Sequence, residues 1–301
     1  MYEFYGEPNR HAIMRHAAWD RNQTMLARCR ALNAEVGENL VYCLTTALGL
    51  MGLDVPPTCT VDKDKLHIVF ANPKQVRRYD NVISHAWKPL DNPGAIITIA
   101  GIRCTSAAAT YAHIAASCSL EERVLLADSL MCRDMKLRRA TLDELNSFVM
   151  SAKGAKGVRD AQWALRLACP NTDSPAEGRM RLKGLRFGLP ECVANVAIDY
   201  DGPDACFIDM GWPEYRVGME YQGKHHLQQY DNDVRRNNII LSHDWKVFQA
   251  FADMVNGGPQ EYSFFQRVSS ALRLAGSQDH TLLWNPMPLE ALAGPRPRAN
   301  R

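Results

Sequence analysis

The sequence predicts an α+β protein, in which a helical N-terminal region with a few short strands precedes a C-terminal αβββαβ unit. In the first half, apolar residues recur at helical spacing, and the segments Ser119–Glu122 and Thr141–Glu144 have the residue order of capping boxes. From residue 174 onward, short apolar runs bounded by turn residues alternate with helical stretches. A Gly- and Lys-rich stretch at 151–157 separates the two patterns.

This stretch is the best linker in the chain and sets the predicted domain boundaries. We expect an α-rich N-terminal domain at 1–156 and a second domain at 157–276. The Pro- and Arg-rich tail at 277–301 is predicted to be poorly ordered, as chain termini of this composition usually are.

The predicted elements of the N-terminal region follow from apolar periodicity and turn residues. The segment 37–53 is apolar on most sides and is followed by Asp54-Val55-Pro56-Pro57, so it is predicted to be a buried helix. Asn-Pro and Asp-Asn-Pro-Gly turns separate three strand-like runs. The predicted helices lie at 9–35, 37–53, 105–118, 119–132, 141–150 and 158–168, and the predicted strands at 66–70, 82–86 and 95–102.

The C-terminal elements have clearer boundaries. Ser174 is a good N-cap, Pro175 suits the first helical position and Glu177 the third, so a helix is expected to begin here. Asp201-Gly202 predicts a hairpin turn, and Gly257-Gly258-Pro259 breaks the chain before the last helix. The predictions are a helix at 174–187, strands at 193–198, 205–209 and 215–222, a helix at 230–242, a strand at 244–249 and a helix that ends near 274.

Composition and charge exclude several classes of protein. The net charge of +2 is nearly balanced, so any affinity for nucleic acid must come from local patches. The chain has no run of 18 apolar residues and no apolar stretch at its N-terminus, so we expect a cytoplasmic protein without membrane contact. Its nine cysteines are odd in number and none has CxxC spacing, which favours buried, reduced thiols over a zinc ribbon or a disulfide framework.

The stretch FIDMGWPEYRVGMEYQGKHH carries two acids at the ends of apolar runs. Asp209 ends the first run and Glu220 ends the second, and Gly211-Trp212-Pro213 is predicted to form the turn between them. Gln222 follows Glu220 by two residues and therefore points to the same face of the strand. Two acids and an amide form a plausible site for a hard divalent cation, while an ordinary charged surface hairpin is the alternative.

Residues 174–250 contain five segments in a characteristic order, which are SPAEGRMRL, FIDMGWP, VGMEYQGKHH, QYDNDVRRN and HDWKVFQ. In this order and spacing they resemble a known family, the very-short-patch-repair-like endonuclease domain of the PD-(D/E)xK superfamily. A weaker likeness upstream, at GIRCTSAAATYAHIAASCSLEERVLLADSLMCRD, is similar to the linker helices of proteins fused to type IV (abortive-infection) antitoxins. The resemblance implies a restriction-endonuclease-like fold with a mixed sheet, and an N-terminal region that binds DNA or a partner.

The resemblance also implies a metal-dependent hydrolytic site. Mg²⁺ or Mn²⁺ would lie between Asp209, Glu220 and the backbone carbonyl of Tyr221, with Glu177 as a further ligand or as the holder of a metal-bound water. Gln222 stands where the superfamily has a lysine, and an amide can orient water but cannot act as a base. His226 is a candidate proton donor or phosphate contact. Glu177 has a structural alternative, because it also completes the helix cap.

The same resemblance suggests a basic rim for the backbone of DNA. Its candidate residues are Arg179, Lys183, Lys224, Arg235 and Arg236. The alternative is a set of solvated helical charges, in which Arg236 simply pairs with Asp233 one turn away.

Three functions follow from the sequence. The first is a metal-dependent endonuclease that hydrolyses DNA phosphodiester bonds in phage defence or DNA repair. The second is a type IV antitoxin-like, DNA-binding regulator that keeps a degenerate nuclease fold without turnover and works with a toxin or defence-system partner. The third is a protein–protein adaptor in phage defence. Retained Asp209, Glu220 and Glu177 favour the first function, which is the one we expect, whereas Gln222 and the nearly balanced charge favour the second, and nothing in the sequence favours the third.

Overall fold

A computed structural model describes residues 8–199, 206–222 and 230–295, and these form two compact units. The N-terminal unit consists of residues 14–131 and 135–168 together with the described residues from 293 onward. The C-terminal unit consists of residues 132–134 and 169–292 together with the described residues up to 13. These divisions differ from the predicted boundary near 156, because the helix that follows the linker belongs to the N-terminal unit.

The chain up to residue 168 contains six helices and five strands among its described residues. They are α1 (Pro8–Val36), β1 (Val41–Tyr42), α2 (Leu44–Leu50), β2 (Leu66–Phe70), β3 (Val82–Ala86), β4 (Ile96–Ile99), β5 (Ile102–Thr105), α3 (Ala107–Ile114), α4 (Leu120–Leu130), α5 (Leu142–Ser151) and α6 (Val158–Leu165). The strands form one sheet in the order β3-β2-β1-β5-β4, in which β1 pairs parallel with β5, and β2 with β3.

Two predictions for this unit are wrong. The segment 37–53 is not one helix, because Val41–Tyr42 forms β1 between β2 and β5, and Leu44 has a left-handed backbone with φ +53°. Pairing on both sides of β1 supplies the backbone hydrogen bonds that a helix would have made. The run 95–102 contributes to two strands, because Ala100 and Gly101 make a turn with φ of +47° and +86°.

A histidine cluster lies within the N-terminal unit. His67 donates from Nε2 to the Asp62 carbonyl at 2.8 Å, so its Nδ1 accepts from Nε2 of His85, also at 2.8 Å. The ring of His113 stacks on Trp87 with centroids 4.5 Å apart. Burial lowers the pKa of all three histidines, to about 4 for His85 and about 3 for His113, and Lys156 adds to the effect at those two.

In addition to two short helices at 252–255 and 289–293 that were not predicted, the C-terminal unit has the predicted order of elements. They are α7 (Pro175–Arg186), β6 (Val193–Ile198), β7 (Cys206–Trp212), β8 (Val217–Tyr221), α8 (Tyr230–Ser242), β9 (Lys246–Ala250), α9 (Ala252–Val255) and α10 (Glu261–Leu274), and α11 (Leu289–Ala293) follows. The sheet order is β6-β7-β8-β9, with the first two pairings antiparallel and β8–β9 parallel. The predicted α+β class, with an αβββαβ unit and a mixed sheet, is therefore confirmed.

The turn predicted at Gly211-Trp212-Pro213 is wrong in part, because Gly211 and Trp212 belong to β7. They pair with Gly218 and Val217 of β8, and Arg216 has φ +50° in the turn that follows. Gly211 is needed for packing rather than for turning, since a Cβ there would lie 3.1 Å from the Trp245 ring.

Two apolar clusters form the core of this unit. Met180, Met210, Met219 and Phe265 pack in one, which joins the sheet to α7 and α10. In the other, Ile240 of α8 packs with residues of β6 and β7.

The segment after α10 packs against α7, although its composition predicts poor order. The Leu283 N–H donates to the Phe187 carbonyl and the Met287 N–H donates to the Arg186 carbonyl, both at 2.8 Å. Gly188 makes this approach possible, because a Cβ there would lie 2.2 Å from the Thr281 carbonyl oxygen. Among the described residues, no helix combines the length and apolar composition needed to cross a membrane.

Candidate functional site

The pairing of β7 with β8 positions the two predicted acids. Met210 pairs with Met219 and Gly211 with Gly218, so the same register places Asp209 opposite Glu220. Directly opposed residues of antiparallel strands point to one face of the sheet. Both side chains are buried, with exposures of 8% for Asp209 and 3% for Glu220. The sheet therefore carries two neighbouring carboxylates on one face.

Arg236 of α8 binds the carboxylate of Glu220 with both terminal nitrogens. Nη1 donates to Oε2 at 2.8 Å, and Nη2 donates to Oε1 and to the Phe207 carbonyl. Burial alone would lower the pKa of Arg236, but Glu220, with a further contribution from Asp209, outweighs burial and raises that pKa above its ordinary value. The guanidinium therefore stays charged and neutralises a buried acid in the position where a metal ion was expected.

Asp209 and the end of β8 are joined by the backbone. The Tyr221 N–H donates to Oδ2 of Asp209 at 2.9 Å, and the Gln222 N–H donates to the Ala250 carbonyl of β9 at 2.8 Å. The side chain of Gln222 is half-buried. Asp209, Glu220, Tyr221 and Gln222 thus come together around the β8 end, while His226 and Lys224 lie outside the described residues.

Glu177 is fully buried at the start of α7, where its carboxylate caps the helix. Its Oε1 accepts from the Ser174 hydroxyl at 2.9 Å, and its Oε2 accepts from the Asp173 N–H at 3.0 Å. In return, Ser174 Oγ accepts from the Glu177 N–H at 3.3 Å. Both carboxylate oxygens of Glu177 therefore contribute to holding the first turn of α7.

A second buried acid–arginine pair was not found by sequence reasoning. Asp173 accepts from Nε and Nη2 of Arg133 at 2.9 and 2.8 Å, and its Oδ2 lies 3.0 Å from His11 Nε2. Burial raises the pKa of Asp173, but His11 and Arg133 outweigh it, so the pKa is lowered overall. The guanidinium of Arg133 also lies 4.0 Å from the centroid of the Phe207 ring. Arg133 and Asp173 are 40 residues apart, so no local pattern in the sequence indicates that they pair. The one local signal was the position of Asp173 directly before the N-cap Ser174.

The donor set does not fit a divalent metal ion in this arrangement. Mg²⁺ requires oxygens that are free to coordinate, but Arg236 binds both oxygens of Glu220 and the helix cap binds both oxygens of Glu177. A metal ion bound by Glu220 would therefore have to compete with Arg236 for this carboxylate.

The predicted nucleic-acid contacts are distributed over several environments. Lys183 pairs with Glu261 at 2.9 Å, Arg236 binds Glu220, and Arg179 is half-buried. Arg235 is exposed on α8. The side chain of Asp233 is outside the described residues, so its pairing with Arg236 stays a prediction.

Two relatives of the chain come from Mycobacterium tuberculosis. They are "Uncharacterized protein MT2308" of strain CDC 1551 / Oshkosh and "Uncharacterized protein Rv2248" of strain H37Rv. Each is 25% identical to this chain over 199 residues, which cover 66% of this chain and 68% of the relative. No protein-family model matches the chain, and no solved structure matches it.

Proposed function

We propose that this protein is a DNA-binding regulator of the type IV antitoxin kind, whose C-terminal unit keeps a nuclease-like topology without turnover. The bidentate contact between Arg236 and Glu220 carries the proposal. Removing one partner from such a buried ion pair costs about 3–5 kcal/mol, so a divalent cation competes poorly with the resident guanidinium.

The residue at the lysine position supports the same conclusion. The resemblance to PD-(D/E)xK nucleases makes this the site of a catalytic lysine, and Gln222 stands there. A glutamine amide carries no charge and accepts no proton at neutral pH, so it cannot replace the lysine in activating water.

The exposed side of α8 is the proposed DNA contact. Arg235, Asn237 and Asn238 are exposed there, while Ile240 and Arg236 face inward. Arginine and asparagine side chains are suited to phosphate oxygens and to base edges. Because few cations are exposed on this helix, we expect binding to be moderate and only weakly dependent on salt.

The test combines a binding assay with a cleavage assay. Fluorescence anisotropy of a short labelled DNA duplex is measured over a series of salt concentrations for the native protein, Glu220→Gln and Arg235→Gln. The same proteins are then incubated with supercoiled plasmid and Mg²⁺ or Mn²⁺. We expect no cleavage by any of them, salt-dependent binding by the native protein and Glu220→Gln, and a salt slope lower by about 1 for Arg235→Gln. Absence of binding at low salt would refute the proposal.

Metal-dependent DNA hydrolysis is the second candidate, and one observation favours it. Asp209 and Glu220 occupy opposed positions on one face of the sheet, as a pair of metal ligands would. Under this alternative, plasmid is nicked by the native protein and not by Glu220→Gln. That result would replace the first proposal with the second.

A further inference from the structure

The structure brings two cysteines together that are far apart in the sequence. Cys59 lies in the loop between α2 and β2, and Cys118 lies directly before α4. The Thr60 N–H donates to the Ser117 carbonyl at 2.9 Å, so the residues next to this bond, Cys59 and Cys118, are neighbours across the two segments. Both belong to the N-terminal unit.

Further contacts hold the two segments in this arrangement. Glu122 accepts from the Thr58 N–H at 2.7 Å through Oε1 and from the Thr58 hydroxyl through Oε2. The Glu122 N–H in turn donates to Ser119 Oγ at 3.2 Å. The loop is therefore bound to Glu122 of α4 on one side of Cys59 and to Ser117, before α4, on the other side, which limits how far the two sulfur atoms can separate.

The environment of the two thiols makes them chemically unequal. A hydrogen bond from Cys118 lowers the pKa of Cys59 to about 7, against the opposing effect of burial. The same contact, together with burial, raises the pKa of Cys118. A thiol with a pKa near the ambient pH is the best nucleophile for disulfide exchange and for peroxide. Cys59 thus has the properties of an attacking thiolate, and Cys118 is the adjacent resolving thiol.

Other cysteines of this unit give a contrast within the same chain. Cys29 and Cys104 also lie close enough to affect each other, but both are completely buried. Burial raises the pKa of each to about 12. Cys59 and Cys118 retain slight exposure, of 8% and 5%, and their neighbours Thr58, Thr60 and Ser119 are exposed.

We propose that Cys59 and Cys118 are a reversible dithiol–disulfide site that reacts with peroxides. The Cys59 thiolate attacks one oxygen of hydrogen peroxide, the O–O bond breaks, and the departing hydroxide takes a proton to become water, which leaves a sulfenic acid on Cys59. The Cys118 sulfur then attacks the Cys59 sulfur. The S–O bond breaks, the hydroxyl leaves with the Cys118 proton as a second water, and the disulfide forms. Two thiols are oxidised by two electrons, and one peroxide is reduced to two waters.

The test uses the full chain and maps its thiols by mass spectrometry. The reduced protein is treated with one equivalent of hydrogen peroxide, free thiols are blocked with a maleimide, and peptides are identified without reduction. We expect a cross-linked peptide pair that contains Cys59 and Cys118, and loss of two of the nine thiols. Dithiothreitol should restore both. Closing this long loop should also raise the Tm of the N-terminal unit by on the order of 10 °C.

Single substitutions separate the two proposed roles. Cys118→Ser should stop at the sulfenic acid, which dimedone traps on Cys59, whereas Cys59→Ser should leave Cys118 unoxidised. Cys29→Ser is the matched control and should form the disulfide as the native protein does. Oxidation that falls on other cysteines, or full labelling of Cys59 and Cys118 after peroxide, would overturn the proposal. The mapping on the native protein decides the matter even if a variant does not fold.

Discussion

Removing the guanidinium of Arg236 should lower the local stability of the sheet in the C-terminal unit. The substitution Arg236→Met keeps an unbranched apolar stem but removes both donors to Glu220 and the donor to the Phe207 carbonyl. Glu220 is 3% exposed, so its charge is left buried without this partner. Breaking a buried pair in this way costs about 3–5 kcal/mol.

Local hydrogen exchange measures this loss where it occurs. If β7 and β8 open cooperatively, about 3–5 kcal/mol corresponds to exchange that is about 100- to 5,000-fold faster in peptides from these strands. Peptides from β2, in the N-terminal unit, should be unchanged. A global unfolding curve would be less informative, because a chain with two units need not unfold in one step.

The controls separate the ion pair from a general effect of losing an arginine. Arg235→Met makes the same chemical change one position earlier on the exposed side of α8, and it should alter stability by less than about 0.5 kcal/mol. Glu220→Gln combined with Arg236→Met should cost less than the sum of the two single changes, because no unpaired charge remains. The reasoning is refuted if Arg236→Met and Arg235→Met have equal effects, or if the two single changes simply add.

Three further predictions concern the helix cap, the packing of the C-terminal segment and the histidine cluster. Ser174→Ala removes the reciprocal bonds with the start of α7 and should lower local stability by about 1 kcal/mol, measured as faster hydrogen exchange in peptides from α7; unchanged exchange would contradict the role of the cap. Gly188→Ala would place a Cβ against the Thr281 carbonyl at a φ of +87°, so the segment after α10 should become sensitive to limited proteolysis, and continued resistance would contradict this packing. The pKa values of His85 and His113 in the folded protein lie below the value in the unfolded chain. As the pH falls from about 6.5 toward 4, the unfolded chain therefore binds more protons than the folded protein does. Stability should then fall by about 1.4 kcal/mol per pH unit for each histidine that stays neutral, and His113→Phe should flatten the pH profile measured by denaturation.

Periodicity was sufficient to predict most of the C-terminal elements, because their boundaries are marked by local chemistry. The Ser174 cap and the apolar strands are signals that a few adjacent residues carry. The failure at 37–53 has the opposite cause. Val41 and Tyr42 enter a strand only because β2 and β5 lie on either side of them, and no local pattern reports such distant neighbours.

The candidate site was predicted only in part, because some of its residues carry local sequence signals and others meet only through packing. Asp209 and Glu220 each end an apolar run, which was enough to select both as candidate site residues, whereas their position on one face follows from the register of β7 and β8. The sequence suggested a DNA contact for Arg236, with Asp233 one turn away as the alternative partner, and it did not indicate the contact with Glu220 across the sheet. Contacts between side chains of different elements can be predicted only when the packing of those elements is known.

The division of the chain into units limits where the protein can be truncated. Each unit draws on segments from different parts of the sequence, and the C-terminal unit includes residues 132–134 as well as the described residues 8–13. Arg133 is one of them, and its carboxylate partner Asp173 lies beyond the linker. A truncated chain that begins after residue 157 would therefore leave Asp173 buried without its guanidinium. A single crossover at the linker would therefore exchange Asp173 without the guanidinium that neutralises it.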